Sequence, residues 1–205
     1  MADLLETGPR GLRRSPLAHL HDRLAAESVG GDRAVSLREV PFLAMVSLRV
    51  APGSAAAARI SSRLGTALPE RCGQVLSAGA HSVLWLGPDE FLLVSDGEAG
   101  ALVTDLREAL AGDPGSVIDV SANRTTLELS GPGARETLEK GCPVDLHPRA
   151  FGTGNAVATI LAPVPLLLWQ TGNATYRLLP RSSFADYVAR WLLDAVTEFS
   201  GPRVA

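Results

Sequence analysis

The sequence is poor in the features that mark several common classes of protein. Only 5% of its residues are aromatic and its formal net charge is -3, which argues against a nucleic-acid-binding surface. Two cysteines, Cys72 and Cys142, are too few for a disulfide framework and favour a reduced, cytoplasmic protein. The longest apolar run, residues 160 to 169, is far shorter than the roughly 20 residues of a membrane-spanning helix. The first residues lack an apolar stretch, so no secretory signal is expected.

What the sequence does have is a regular succession of strand and helix patterns. With 205 residues, of which 46% are hydrophobic, the chain is long enough for one or two domains with a buried core. Alternating apolar residues from Phe42 to Val50 predict a strand, followed by an Ala-rich helix that ends at Gly65. The patterns that follow predict a hairpin over 83–94, a helix over 102–110, strands at 117–120 and 124–129, a helix over 132–140 that Gly141 closes, strands at 156–161, 165–170 and 175–179, and a helix over 183–198.

The last of these helices has the clearest pattern in the chain. Its apolar residues, among them Phe184 and Tyr187, follow the spacing of a helix that covers a sheet. Ser183 and Asp186 stand at the spacing of a capping box, with an acid in place of the usual glutamate or glutamine. We therefore expect one face of this helix to be buried along its whole length.

The order of elements in the first half of the chain recurs in the second half. Gly87 and Gly172 each precede an apolar strand, and each strand leads into a helix. This degenerate repeat predicts an α+β protein of two related split β-α-β (ferredoxin-like) modules. We place an N-terminal arm at residues 1–35, the first α+β module at 36–121 and the second at 122–205, with the modules packed as one unit.

The N-terminal arm is predicted to contain one helix, from Leu17 to Ala26. Leu17, Leu20 and Leu24 give this helix an apolar side, while the arm has little core of its own. We expect that side to lie against a neighbour, which in a subunit is another chain.

Three groups of residues have the composition of functional sites, and each has a simpler structural interpretation that we favour. The Gly131-Pro132-Gly133 turn invites phosphate binding, but it lacks the remaining glycine of a dinucleotide fingerprint and one amide donor. Cys142 and His147 could form a nucleophile and base, but no orienting acid accompanies them beyond Asp145. We instead expect the Gly131-Pro132-Gly133 turn to be a plain helix entry, Cys142 to be a small buried thiol and His147 to lie in a loop. The four histidines show no zinc-like spacing, so no metal site is predicted.

The third group lies at the end of the strand at 117–120. Asp119, Ser121, Asn123 and Arg124 cluster there, where binding residues are often found. Asp119 could anchor a pterin-like ring, although Asp-Val-Ser at a strand end also forms ordinary side-chain-to-backbone turn bonds. We favour the turn bonds, and assign no catalytic, cofactor-binding or metal residue from the sequence.

Motifs along most of the chain resemble those of one known family. They are Arg14-Ser15-Pro16-Leu17, the segment 85–90 (WLGPDE), the stretch from Ser130 through Gly141-Cys142-Pro143 to Pro148, and the segment 181–187 (RSSFADY). In this order they resemble the gamma subunit of bacterial heterotetrameric sarcosine oxidases. The resemblance implies the fold of the glycine-cleavage T-protein and its folate-binding relatives.

The resemblance also implies a function. Such gamma subunits are non-catalytic, structural parts of a heterotetrameric enzyme. That enzyme oxidatively demethylates sarcosine to glycine, with formation of hydrogen peroxide and of formaldehyde or methylenetetrahydrofolate. The expected partners are the alpha subunit first, then beta and delta. FAD, FMN, NAD, zinc and tetrahydrofolate are expected on those subunits and not on this chain. The alternative hypothesis is a small-molecule, folate-like binding domain, and a thiol enzyme that uses Cys142 ranks last.

Overall fold

The computed structural model describes residues 13–200. Within them the chain forms ten strands, which are β1 Ser36–Glu39, β2 Ala44–Val50, β3 Val75–Ala78, β4 His81–Gly87, β5 Glu90–Ser95, β6 Gly115–Asp119, β7 Leu127–Ser130, β8 Ala156–Leu161, β9 Val164–Gly172 and β10 Thr175–Pro180. The α-helices are α1 His21–Ala26, α2 Ala55–Leu64, α3 Ala99–Leu110, α4 Ala134–Glu139 and α5 Ala185–Val196, and 3₁₀ turns cover Ala18–Leu20, Ser182–Phe184 and Thr197–Ser200. No helix in this range is long and apolar enough to cross a membrane.

The strands form two five-stranded sheets. The first sheet has the order β3-β4-β5-β2-β6 and the second sheet the order β8-β9-β10-β7-β1. Every pairing is antiparallel. The first four strands of each order correspond one to one, since β2 and β7 open the two repeats and β4-β5 and β9-β10 form the equivalent hairpins. This confirms the predicted α+β fold of two related split β-α-β modules.

The fifth strand breaks the correspondence between the two sheets. In the first sheet, β6 follows α3 and pairs with β2, within the same module. In the second sheet, the equivalent place beside β7 is taken by β1, which comes from the start of the chain. A strand inside residues 36–121 thus completes the sheet formed by residues 122–205.

The molecule is built in four layers, because each sheet packs a helical layer on one face and the other sheet on its second face. Helices α2 and α3 cover the first sheet, and α1, α4 and α5 cover the second. Between the sheets lies a central apolar layer, formed by Leu43, Met45, Val75, Leu84, Leu92, Val94, Ala156, Leu167, Trp169 and Leu179. The middle strands are therefore apolar on both faces, as sheets covered on both sides require.

The N-terminal arm packs against its own chain. Leu17, Leu20 and Leu24 are buried in the core under the second sheet, together with residues of α4 and α5. The predicted helix is present as the 3₁₀ turn and α1. Its apolar side is therefore not the surface that meets another chain, and the expectation that a neighbouring chain covers it is corrected.

Several predicted elements begin or end elsewhere in the structure. The strand predicted from Phe42 begins at Ala44, because Phe42 lies in a turn with φ of 62° and points away from the core. The strand predicted over 124–129 is β7, and residues 124–126 form part of a linker. Strands β1 and β3 were not predicted from the sequence, and the remaining strands agree with their predicted ranges to within a few residues.

The start of α5 also differs from its prediction. No capping box forms: Phe184 occupies the N-cap position without a side-chain cap bond, and Asp186 accepts hydrogen bonds from His19 and Arg190. Phe184 and Tyr187 are exposed, although the helical pattern placed them on the buried face. The helix covers the second sheet through Ala185 and then from Val188 onwards.

Gly141 is needed for packing and does not end helix α4 as predicted. Helix α4 ends at Glu139 with a right-handed C-cap at Lys140, and Gly141 is not among the glycines with positive φ. A Cβ at Gly141 would lie 2.6 Å from Cζ2 of Trp191. Glycine is required here because the indole ring lies directly on the backbone.

Candidate functional site

A large open groove within residues 13–200 lies where the arm meets both modules. It has a volume of about 670 Å³. Its walls are the arm at 13–16, the turn before β2, the start of α3 and the linker 120–126 that connects the modules. A groove of this size is within the range of small-molecule or peptide sites, so we take it as the candidate functional site.

The linker brings most of the predicted strand-end cluster into this groove. Asp119, Ser121 and Arg124 line the groove, while Asn123 does not. Asp119 Oδ1 accepts hydrogen bonds from the amide (2.9 Å) and the hydroxyl (2.6 Å) of Ser121. Ser121 Oγ also accepts the amide of Met45 at 3.0 Å, which ties the linker to β2. These are the turn bonds that the sequence favoured.

Arg124 lies at the second-module side of the groove. One of its terminal nitrogens, Nη1, donates to the carbonyl of Leu179 at 2.8 Å, and its side chain has no ion pair with a carboxylate among residues 13–200. Burial, and then the neighbouring charge of Arg181, lower the pKa of the Arg124 guanidinium. A half-buried cation beside a like charge is stabilised by an anion, so Arg124 can receive one.

Glu39 is a buried carboxylate in the wall of the groove. Its side chain is 0% exposed and accepts hydrogen bonds from Ser15 Oγ (2.5 Å), His21 Nε2 (2.6 Å) and Thr125 Oγ1 (2.8 Å). A Ser-His-Glu set suggests a catalytic triad, but here the same nitrogen, His21 Nε2, faces both Glu39 and Ser15 Oγ, the latter at 3.4 Å. A triad needs the two ring nitrogens to serve separate partners. Glu39 therefore holds the arm and the linker in place.

Phe42 stands at the mouth of the groove. It is 49% exposed and has φ of 62°. A left-handed backbone costs a non-glycine residue about 1–2 kcal/mol, and such strain is concentrated at functional sites. The guanidinium carbon of Arg13 lies 4.7 Å from the centroid of the Phe42 ring. The strained turn thus holds the Phe42 ring in a solvent-exposed position.

The structure does not bring Cys142 and His147 together as a nucleophile and a base. Cys142 is buried, with its sulfur 4.0 Å from Thr159 Oγ1. His147 is exposed, and its Nδ1 accepts the amide of Arg149. Asp145 accepts the amide of His147, which is a turn bond.

The other histidines and the Gly131-Pro132-Gly133 turn are engaged elsewhere. His19 pairs with Asp186 at 2.8 Å, and His81 Nδ1 lies 3.1 Å from Ser95 Oγ. Residues 13–200 contain no group of three potential metal ligands. The amides of Gly131 and Gly133 donate to the carbonyls of Ala174 and Ala34, and the turn packs against residues 33–35. It is a helix entry with its amide donors in use.

Sequence patterns did not single out Glu39, Phe42 or Arg14 as lining one groove. Arg14 was noted only within a family motif, and Glu39 precedes an apolar strand where an acid is unremarkable. A signal did exist at Phe42, because Pro41 precedes it and interrupts the alternation of the predicted strand.

The fold first shows the structural class to which the chain belongs. The glycine cleavage system aminomethyltransferase T from Bartonella henselae superposes with a TM-score of 0.67 over 89% of this chain and 57% of its own, at 17% identity. At that identity the similarity shows the fold alone. The chain is therefore a two-module α+β protein with the T-protein fold.

Closer relatives identify the family. The model of the sarcosine oxidase, gamma subunit family matches residues 49–198. The sarcosine oxidase subunit gamma of Arthrobacter sp. is 51% identical over 195 residues, 95% of each chain, and that of Corynebacterium sp. (strain U-96) is 49% identical over the same shares. A chain of the heterotetrameric sarcosine oxidase from Corynebacterium sp. U-96, in complex with pyrrole 2-carboxylate, superposes with a TM-score of 0.90 over 95% of this chain and 100% of its own. The chain belongs to the sarcosine oxidase gamma subunit family.

Proposed function

We propose that this chain is the gamma subunit of a heterotetrameric sarcosine oxidase and acts there as a structural subunit without catalytic residues of its own. The observation that carries the proposal is the superposition on a full-length chain of such a heterotetramer, with a TM-score of 0.90 at 49% identity. The enzyme would demethylate sarcosine oxidatively to glycine, with formation of hydrogen peroxide and of formaldehyde or methylenetetrahydrofolate.

The contacts of the candidate residues support a structural role. Asp119 and Glu39 hold the linker and the arm through hydrogen bonds, and Cys142 is packed in the core. The comparisons favour this function over the folate-like binding domain, because the T-protein similarity concerns the fold alone.

The partners follow from the same proposal. We expect the alpha subunit to make the main contact, with beta and delta completing the assembly. FAD, FMN, NAD, zinc and tetrahydrofolate would be carried by those subunits. We place the complex in the cytoplasm, in keeping with the unpaired thiols of Cys72 and Cys142.

Coexpression tests this proposal. The chain is produced with and without the alpha, beta and delta subunits of its own organism, and size exclusion is followed by an assay of sarcosine-dependent peroxide in each fraction. We expect the chain to elute with the other three subunits, and the complex to lose stability or activity without it. Elution of the chain alone, beside three fully active subunits, would contradict the proposal.

A further inference from the structure

Two arginines lie opposite each other where the linker meets the second module. Arg124 and Arg181 form an antiparallel bridge, and backbone hydrogen bonds of their neighbours flank it on both sides, at 3.2 Å and 2.9 Å. In an antiparallel pair of this kind the Cα atoms are about 4.5 Å apart, and both side chains lie on the same face. The two arginine side chains therefore leave the backbone side by side.

Neither guanidinium group has an acid as its partner. Arg124 Nη1 donates to the carbonyl of Leu179 at 2.8 Å, and Arg181 Nη1 donates to the side-chain oxygen of Asn123 at 2.9 Å. Neither arginine has an ion pair with a carboxylate among residues 13–200. Because a guanidinium has five N–H donors, most of these donors are left unused by residues 13–200.

The positive charge of this pair is uncompensated at close range. Like charges directly opposite each other destabilise a sheet. Burial, and then the charge of Arg181, lower the pKa of the Arg124 guanidinium, whereas a carboxylate beside it would raise that pKa. The acids of the groove balance its arginines in number, but none forms an ion pair with Arg124. Since Arg124 is half-buried and Arg181 exposed, an anion from solution can reach the pair.

Other adjacent basic side chains in residues 13–200 show what is missing here, because three such pairs share an acid. They are Arg38 and Arg177 with Glu128, Arg33 and Lys140 with Glu198, and His19 and Arg190 with Asp186. Glu128 lies on β7 between the strands of its two arginines. Its Oε1 accepts from Arg38 Nε at 2.9 Å and its Oε2 accepts from Arg177 Nε at 3.1 Å. One carboxylate thus gives one oxygen to each guanidinium.

We propose that Arg124 and Arg181 form a binding site for one carboxylate group supplied from outside residues 13–200, with one carboxylate oxygen bound to each guanidinium. The arrangement is that of Glu128 between Arg38 and Arg177, and arginine forks suit the paired oxygens of a carboxylate. The carboxylate belongs to a small carboxylic acid or to an acidic side chain of a neighbouring subunit. The site goes beyond the proposed function, and its first test needs this chain alone.

The first test is a titration of the ¹⁵N-labelled full chain with sodium acetate at pH 6, against sodium chloride of the same ionic strength. The Nε–Hε resonances of Arg124 and Arg181, assigned by their loss in Arg124→Lys and Arg181→Lys, are expected to shift saturably with acetate and not with chloride. Arg38 is the internal reference, because its Nε is already bonded to Glu128. Its resonance should not move.

The second test removes one of the two charges. In Arg181→Gln, the acetate affinity measured at Arg124 is expected to fall about tenfold or more, since one of the two guanidinium groups is lost. Without acetate, the urea midpoint of this variant should be unchanged or higher, because the like-charge repulsion is gone, and acetate should raise only the wild-type midpoint. A purely structural Arg181 would instead lower the midpoint and leave the acetate response unchanged. Arg38→Gln is the control and should bind acetate like the wild type.

Retention by the alpha, beta and delta subunits distinguishes the two sources of the carboxylate. If Arg181→Gln weakens retention about tenfold and acetate competes with assembly, a neighbouring subunit supplies the carboxylate. Unchanged retention, together with acetate binding, assigns the site to a small carboxylic acid. The absence of a saturable shift at Arg124 and Arg181, or equal acetate affinity in Arg181→Gln, would overturn the inference. The proposed function fails separately, if the wild-type chain does not elute with the other subunits.

Discussion

Single residues couple the arm to α5 through charge. Asp186 accepts hydrogen bonds from Arg190 and from His19, and these bonds lower the pKa of its carboxyl below the usual value of 3.8. A carboxylate whose folded pKa is depressed stabilises the protein above its unfolded pKa, and that contribution is lost as the pH falls through the folded pKa. Asp186 is half exposed, so solvent keeps the effect small.

We therefore predict that Asp186→Asn lowers the free energy of unfolding at pH 6 but has less effect at pH 3. Urea denaturation at the two pH values measures the difference. Asp22→Asn is the control, because Asp22 is exposed and has no hydrogen bond or ion pair among residues 13–200. An Asp186→Asn effect that is the same at both pH values would contradict the assignment.

A second prediction at this scale concerns the contact between Gly141 and Trp191. In Gly141→Ala, the new Cβ would lie 2.6 Å and 2.9 Å from two carbons of the indole and 3.2 Å from the Ala162 amide. We expect a loss of about 1–3 kcal/mol in the free energy of unfolding, because the ring and backbone have to move apart. Gly100→Ala provides the comparison, since no atom lies within 4 Å of its Cβ position. That substitution in α3 is expected to be neutral or to gain up to about 1 kcal/mol. Equal effects would show that the indole contact does not require glycine.

At the scale of elements, Glu39 joins three segments that lie far apart in the sequence. Ser15 and His21 belong to the arm, Thr125 to the linker, and Glu39 to the end of β1. The arm also buries Leu17 and Leu24. The Glu39 carboxylate and the two leucines therefore both hold the arm in place. The hydrogen bonds of the carboxylate also set the position of the arm relative to β1 and the linker.

Glu39→Gln is predicted to loosen the arm. The amide nitrogen of glutamine cannot accept a hydrogen bond, so at least one donor loses its partner, and we expect a loss of roughly 1–3 kcal/mol in stability. Hydrogen exchange of the amides in α1 should accelerate. Glu27→Gln, which removes an exposed pair with Arg23, should cost less than about 0.5 kcal/mol. Equal exchange in the two variants would show that Glu39 does not hold the arm.

Element identity could be predicted from the sequence, whereas partners of elements could not. Alternating apolar residues revealed β2, short apolar runs revealed the β4-β5 hairpin, and Gly65 marked the end of α2, because these signals are local. The place of β1 beside β7 depends on pairing between distant residues. The same reason hid the groove. Asp119, Ser121 and Arg124 are close in sequence and were recognised as a cluster, while Arg14, Glu39 and Phe42 reach it only through the fold.

At the scale of the whole molecule, the central apolar layer decides how the two modules behave. Met45 and Leu92 of the first sheet pack with Leu167, Trp169 and Leu179 of the second. In addition, β1 lies inside the predicted first module but pairs with β7 in the second sheet. The division at residues 36–121 and 122–205 remains a prediction, and the shared layer leads us to expect that neither part is stable alone.

The last prediction is that the chain unfolds in one cooperative step. Trp85 reports on the first sheet, and Trp169 and Trp191 report on the second sheet and its helix. In Trp85→Phe, and separately in Trp169→Phe/Trp191→Phe, the urea midpoint from the remaining tryptophan fluorescence should coincide with the midpoint from far-ultraviolet circular dichroism of the same variant. Leu92→Ala should lower the single midpoint, by about 2–5 kcal/mol in stability, without dividing the transition, because it removes contacts that both modules share. Two separated transitions, in any of these variants, would show that the modules are independent domains and that the central layer does not couple them.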